Sequence, residues 1–266
     1  MGGYSELSKR MKDDYENVVK PRLNDKEPII IRIDGKAFRT FTKNLKKPFD
    51  DLFVRSMQHT VKYLCENTPN IIFGYQHSDE ISLLLIKDEI STPWFNYDVQ
   101  KVSSVSASMA TMVFNNSFRQ NANTWISEYH AWCNMAYDCD EEKDAYEEAL
   151  NKAMCLGAMF DSRCFNIARE DVINYFFWRQ SDASRASIRM TAQVYFSHQQ
   201  LLKKTRDDIR YMLRDQKGID WESFPIAYKW GVCCIKDEQG WKLDTQIPLF
   251  KNKNREYIEK LIGERR

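Results

Sequence analysis

Asp34 and Gly35 close the apolar run "PIIIRIDG", and "HSDE" (77–80) brings Asp79 and Glu80 between the runs "IIFGYQ" and "ISLLLI". Carboxylates carried to the tips of apolar segments sit where chemistry is done. Two close carboxylates repel unless a cation bridges them, and hard oxygen ligands suit Mg²⁺. Two such ions can activate an attacking oxygen and stabilise the leaving oxygen of a phosphate displacement. Asp34 and Asp79 are the candidate ligands, the Gly35 carbonyl is a third, and Glu80 stands beside them. Asp-Gly and Ser-Asp-Glu are also ordinary turn signals, so their joint placement carries the weight.

Gly35 opens the loop "GKAFR", whose backbone N–H groups could cradle a triphosphate. Lys36 and the nearby Lys47 can neutralise phosphate oxygens. His77 reads as a turn residue. Ser103, Ser104, Ser106 and Ser108 read as helix packing, since no His-Asp partner pattern accompanies them. Trp178, Arg179, Gln180 and Asp182 cluster mid-helix, which suits a core Trp with polar flanks as well as a binding role.

These residues need elements to hold them. Residues 28–34 are apolar on both sides, as a central strand requires. "TKNLKKPFDD" is a loop in which Asp50 or Asp51 can cap a helix. That helix carries Leu52, Phe53, Met57, Val61 and Leu64 on one stripe. "IIFGYQ" and "ISLLLI" are strands joined by the "HSDE" turn. A helix rich in Ser and Ala follows over 99–116, and "LGAMFDSRCFNI" (156–167) supplies a fourth strand or strand pair. The order predicts an α+β fold, a ferredoxin-like βαββαβ palm domain. In it the first strand lies beside the strand after the hairpin turn, which brings Asp34 and Asp79 to one edge.

The remainder predicts a helical C-terminal elaboration. Residues 169–201 form one long helix, or two broken near Ser181; Gly218 closes a later helix. "KWGVCCIKDEQGWKLD" is a hairpin turning at Glu238–Gly240. With no repeat or linker, 1–266 reads as a single catalytic unit, with a palm core over about 28–166. The helical region and hairpin of about 167–266 complete it.

Composition narrows the class. At 266 residues, 43% hydrophobic and 29% charged, the chain can bury a real core. No apolar run approaches the ~20 residues that span a bilayer, and the first residues lack the apolar centre of a signal peptide. The cysteines at 65, 133, 139, 155, 164, 233 and 234 are odd in number and form no C-x-x-C pair. They predict neither a disulfide framework nor a zinc site, but a reduced, cytoplasmic protein. The net charge of +1 is silent about partners. Basic clusters at Lys43, Lys46 and Lys47, at Arg179, Arg185 and Arg189, and at Lys203, Lys204, Arg206 and Arg210 suit solvated faces or phosphates.

The motifs "IIIRIDGKAFRTFTKNLKKPFDD", "YQHSDEISLLL", "KVSSVSASMAT", "MFDSRCF" and "NYFFWRQSDASRASIRMTAQVYFSHQQL" occur in an order that resembles the tRNA-histidine guanylyltransferase superfamily. The resemblance runs from about residue 28 to 235. The segment W-R-Q-x-D-A-x-R-x-S-I looks like the bacterial and archaeal branch; eukaryotic members carry a His-Ile-Asn-Asn-Leu type segment there.

The resemblance implies a 3′–5′ nucleotidyltransferase that activates a 5′-phosphorylated tRNA end with ATP, or GTP in some members. The 3′-hydroxyl of an incoming NTP then attacks that end, as in templated repair of 5′-truncated tRNAs. It also implies two Mg²⁺ ions, nucleoside triphosphates as substrates, tRNA as partner, and a homotetramer. Carried onto this sequence, Asp34, Asp79 and the Gly35 carbonyl match the metal ligands. Lys36, Ala37 and Phe38 match the triphosphate loop, followed by Arg39 where many members have His. Ser78 and Glu80 flank the second carboxylate. Lys47 and Lys101 match basic residues of the activation and triphosphate regions, and Asp98 stands where a basic residue is common. Arg163, Arg179, Gln180, Asp182 and Arg185 fall in the later, RNA-side motifs.

Two other readings share parts of this pattern. A nucleotide cyclase uses the same palm and a similar D-E turn, but needs fewer basic residues than the C-terminal helices carry. A non-catalytic RNA-binding sheet would place stacking aromatics on its central strands, where this chain has Ile, Leu and Asp.

Overall fold

The sheet that carries Asp34 has six strands. They are β1 (Ile29–Gly35), β2 (Ile71–His77), β3 (Glu80–Leu85), β4 (Phe160–Asn166), β5 (Val232–Asp237) and β6 (Gly240–Asp244). Their spatial order is β4-β1-β3-β2-β5-β6, antiparallel throughout. The first four strands form the expected βαββαβ palm, and the C-terminal hairpin extends it beside β2. The structure, a computed structural model, describes residues 2–136 and 140–263. Cys139 lies outside them; Cys65, Cys133, Cys155, Cys164, Cys233 and Cys234 are free thiols. No helix among the described residues is long and apolar enough to cross a membrane.

Ten α-helices occur among the described residues: α1 (Gly2–Met11), α2 (Phe38–Phe41), α3 (Asp51–Asn67), α4 (Val99–Ala136), α5 (Glu141–Leu156), α6 (Val172–Tyr195), α7 (His198–Leu201), α8 (Arg206–Lys217), α9 (Ile226–Lys229) and α10 (Glu256–Gly263). The alternation of β1 explains how they layer. Ile29, Ile31 and Ile33 point into one core with α3 and α4, while Ile30 points into the other with α6 and α10. Both faces of a central strand are then covered, which is why it is apolar on both sides. Arg32 and Asp34 alternate onto the α6 face with Ile30. A third cluster joins the C-terminal half of α6 to α8 through Ile188, Ala192, Ile209, Leu213 and Trp221.

Asp50 caps α3, its Oδ1 accepting the Phe53 N–H at 2.9 Å, and Leu52, Phe53, Met57, Val61 and Leu64 are buried as the stripe predicts. Gly218 closes α8 at φ 67°, the left-handed cap that glycine adopts without a Cβ penalty.

Two elements differ from expectation and two open alternatives are settled. The helix expected over 99–116 continues for 38 residues to Ala136, because Phe118, Ala122 and Tyr129 extend its buried stripe. Its far half packs on α5, which sequence did not reveal: Tyr146, Ala149, Leu150 and Ala153 are a buried stripe hidden among acidic residues. Residues 156–167 hold one strand, since Leu156 still belongs to α5. No break occurs at Ser181, whose hydroxyl donates to the Phe177 carbonyl at 2.8 Å; the helix instead ends at Tyr195, and Ser197 caps a separate short helix.

Candidate active site

Strand register brings the acidic residues together. Asp34 lies opposite Glu80 on β3 and opposite Asp161 on β4. Just beyond, the Gly35 N–H donates to the Asp79 carbonyl at 3.1 Å. Ser78 takes the left-handed conformation (φ 51°) that turns the hairpin, and its hydroxyl donates to Asp79 Oδ1 at 3.0 Å. Gln76 braces this turn from β2, its amide donating to the Ser78 carbonyl at 2.8 Å.

Burial, reinforced by the charges of Asp34 and Glu80, pushes the Asp79 carboxyl up to about 6. A carboxylate held this reluctantly in its charged form is one that a cation would stabilise. Among the described residues no three His, Cys, Asp or Glu side chains form a ready cage. Two carboxylates with a neighbouring backbone carbonyl fit Mg²⁺, which keeps several waters and takes substrate phosphates as ligands.

Glu80 has other partners. Arg179 of α6 grips it with two parallel bonds, Nε to Oε1 and Nη2 to Oε2, each 2.7 Å. Arg32 adds Nη2 to Oε2 at 2.8 Å and reaches Asp34 Oδ2 at 3.6 Å. Arg179 is also tied to Asp182 at 2.9 Å, and Asp182 to Arg185. Two guanidiniums thus neutralise Glu80 and fix it as a positioning group between β1, β3 and α6.

The loop after Asp34 is less open than its composition predicts. The Gly35 N–H is bound to Asp79, and the Lys36 N–H donates to the Met159 carbonyl at 2.8 Å. Ala37 is left-handed (φ 56°) and starts α2, so the N–H groups of Phe38 and Arg39 open a helical turn and lack intrahelical acceptors. Phe38 is not a base platform: its ring is buried against Phe41, Phe53, Phe114 and Phe160, with centroids 5.0–5.8 Å away. That ring also explains Gly35, where an added Cβ would lie 2.2 Å from Phe38 Cδ2 and 2.8 Å from Asp79 Oδ2.

A cavity of about 690 Å³ runs from Ser78 and Asp79 between this loop, α3, α6 and α9. Arg39, Lys43, Lys46 and Lys47 line its basic part, and Phe49, Val54, Met190, Val194 and Tyr228 its apolar part. Lys47 donates to the Thr42 carbonyl at 2.6 Å, and burial lowers its pKa against the pull of Asp50. Lys46 lies over the Tyr146 ring at 4.4 Å. His77, buried on the same wall, is held neutral by burial with a pKa of about 4. Phe49 and Tyr228 stack face to face, centroids 4.7 Å apart. Sequence gave no signal for Tyr228, which reaches the site from the far end of the chain.

Comparison with known proteins gives the family. The family profile described as tRNAHis guanylyltransferase matches residues 8–168. The chain belongs to that family. Family members are nucleotidyltransferases, which sets aside the non-catalytic reading. A solved bacterial tRNA(His) guanylyltransferase-like protein in complex with ATP is 35% identical, with 96% of this chain and 99% of that one covered, at a TM-score of 0.78. A similar bacterial protein in complex with GTP is 32% identical over 97% and 99%, at 0.74. The probable tRNA(His) guanylyltransferase of Dictyostelium discoideum is 25% identical over 87% of this chain and 83% of its own. The chain thus falls on the bacterial-like side of the family, as its W-R-Q-x-D-A segment predicted.

The remaining family-motif residues divide into outward and inward groups. Arg163, on the edge strand β4, pairs with Asp161 at 2.8 Å, and both are more than half exposed. Arg185 is exposed on α6. Gln180 is turned inward, accepting the Phe250 N–H at 2.7 Å and donating to the Pro248 carbonyl at 3.0 Å. It holds the C-terminal segment to α6 and offers nothing to RNA. Lys101 is exposed in the first turn of α4 and does not line the cavity. Asp98, where the family often has a base, accepts the Lys101 backbone N–H at 3.0 Å; it is the helix cap.

Proposed function

We propose that this chain is a template-dependent 3′–5′ nucleotidyltransferase that rebuilds the 5′ end of tRNA. The observation that carries the reading is that Asp79, tied to the Asp34 strand tip through the Gly35 N–H, lines a cavity that is basic in one part and apolar in another. Such a cavity suits a nucleoside triphosphate: phosphates against Arg39, Lys43 and Lys47, base against the apolar wall. The bacterial relatives described in complex with ATP and with GTP support the same use here.

Asp34 and Asp79 would hold two Mg²⁺ ions, with the Gly35 carbonyl as a further ligand. Bound there, the ions supply activation of the attacking oxygen and neutralisation of charge on the leaving one. In the first step an oxygen of the RNA 5′-phosphate forms a bond to the α-phosphorus of ATP, and pyrophosphate leaves. In the second the 3′-hydroxyl of an NTP bonds to the RNA 5′-phosphorus, loses its proton, and AMP leaves. The first addition leaves the RNA one nucleotide longer with a 5′-triphosphate; in each later addition the 3′-hydroxyl of the next NTP bonds to the α-phosphorus of that end, loses its proton, and pyrophosphate leaves. Arg32 and Arg179 fix Glu80, and through it the strand ends on which both carboxylates sit. Lys47, anchored on the Thr42 carbonyl, positions the loop of the basic wall.

The reading includes a catalytic unit spanning 1–266, with 28–166 as palm core, a homotetrameric assembly and a cytoplasmic setting. Incubation of 5′-monophosphorylated RNA with α-labelled ATP and Mg²⁺, without other nucleotides, tests it. A label joined to the RNA 5′ end through a pyrophosphate bond is expected. Absence of that adduct in the intact enzyme would refute ATP activation, and a labelled cyclic nucleotide would favour a cyclase.

A further inference from the structure

Trp178 is 48% exposed on α6, yet its indole is held in place. The Arg179 guanidinium lies 4.4 Å from the ring centroid, and Tyr175 meets it edge-on at 6.0 Å. Tyr175 is itself pinned to the sheet through its hydroxyl and Ser82, 2.9 Å apart. One helical turn further on, Arg179 grips Glu80, which lies opposite Asp34. From ring to reaction centre the contacts are continuous: Trp178 to Arg179, to Glu80, to Arg32, to Asp34. A large, braced and half-exposed aromatic ring therefore lies beside the Arg179–Glu80 pair at the start of β3.

Its surroundings suit a nucleic acid. On the neighbouring edge strand, register places Arg163 opposite Arg32 and Asp161 opposite Asp34. Among the described residues β4 is an edge strand of the sheet, and Asp161 and Arg163 on it are more than half exposed. Two carboxylates here are already paired: Asp161 with Arg163, and Asp182 with Arg179 and Arg185. The Arg163 and Arg185 pairs are exposed and so worth little, which leaves both guanidiniums available to a phosphate.

We infer that Trp178 is the platform on which the terminal base of the incoming RNA 5′ end stacks, with Arg163 and Arg185 receiving the flanking phosphates. This rests on the function proposed above and adds where the RNA end is held. Stacking on an indole tolerates any base, because every base has a π-face. An enzyme whose product presents a new terminal base after each addition needs that tolerance.

The test uses the full-length protein and a 5′-truncated tRNA with 2-aminopurine as its terminal paired base, without ATP or NTPs. Binding to the wild type is expected to change the probe's fluorescence by stacking. Trp178→Ala should abolish that change and weaken RNA binding by about 5- to 50-fold, with ATP affinity and molar mass unchanged. Trp178→Phe should restore most of both. Arg163→Gln and Arg185→Gln should each weaken binding less and reduce its salt dependence. Where the alanine variant loses helical circular dichroism, Trp178→Leu, which keeps apolar volume without a π-face, decides the matter.

An unchanged probe signal and affinity in the variant would overturn the assignment. So would a fall in molar mass with RNA affinity retained, which would make Trp178 a contact between copies of this chain. Since no transfer chemistry is read, a wild type that binds RNA this way but never extends it refutes the proposed reaction and not the platform.

Discussion

Gly35 donates its backbone N–H to the carbonyl of Asp79 across 3.1 Å, and this bond ties the tip of the first strand to the turn between the second and third. Asp34 and Asp79 are thereby held on two segments locked to each other. The same closeness excludes any side chain at position 35, where a Cβ would fall 2.2 and 2.6 Å from two carbons of the buried Phe38 ring. Gly35→Ala is expected to destabilise the fold by roughly 1–3 kcal/mol through overpacking. It should also lower activity far more than that loss explains, because Asp79 Oδ2 must move. Urea melts beside steady-state rates check this; a stable, fully active variant would contradict it.

Asp79 is expected to set the acid limb of the reaction. Its pKa is raised from 3.8 to about 6, so protons and Mg²⁺ compete for it in the window between about pH 4 and 6. Activity should fall as pH drops through about 6, and added Mg²⁺ should move the limb to lower pH. Rate–pH profiles at several Mg²⁺ concentrations test this, and a limb that ignores Mg²⁺ would argue against Asp79 as a ligand.

The same shift has a stability sign. Below pH 3.8 the group is protonated in both folded and unfolded chains and contributes nothing. As pH rises to 6 only the unfolded chain ionises, so the metal-free fold loses stability and stays penalised above 6. Asp79→Asn should therefore stabilise the protein in EDTA at pH 7.5, by on the order of 1–2 kcal/mol since the group is partly solvated, while abolishing activity. The gain should vanish near pH 4. Thermal melts of both proteins at the two pH values are sufficient.

Arg179 should matter to folding as much as to catalysis. Its removal leaves Glu80 with Arg32 alone in a half-buried site, and loss of one partner of a buried pair costs about 3 kcal/mol. Arg179→Lys keeps the charge but not the two-pronged geometry and should fall between wild type and Arg179→Ala. Urea unfolding of the three proteins ranks them; equal midpoints would show the clamp to be dispensable.

Much of this site was legible in the sequence because strand order is a topological constraint. Once "PIIIRID", "IIFGYQ" and "ISLLLI" are strands in a βαββαβ order, Asp34 and Asp79 must meet. Side-chain direction was not legible. Phe38 in a glycine loop reads the same whether it stacks on a base or fills a core, and only the nearby rings of Phe41, Phe53, Phe114 and Phe160 decide. Gln180 carried a usable signal, since it lies on the buried stripe of Phe176, Ala183 and Ser187. The helix over 141–156 was hidden because its apolar residues are outnumbered by carboxylates, and Tyr228 because nothing local links it to Phe49.

The most direct measurement supplies a 5′-truncated tRNA, ATP, four labelled NTPs and Mg²⁺ to the wild type, to Asp34→Ala and to Asp79→Ala. The wild type is expected to lengthen the 5′ end by nucleotides complementary to the opposite strand. Each variant is expected to fold normally and add none. No 5′ growth by the intact enzyme, or full activity in either variant, would contradict a two-carboxylate 3′–5′ polymerase site.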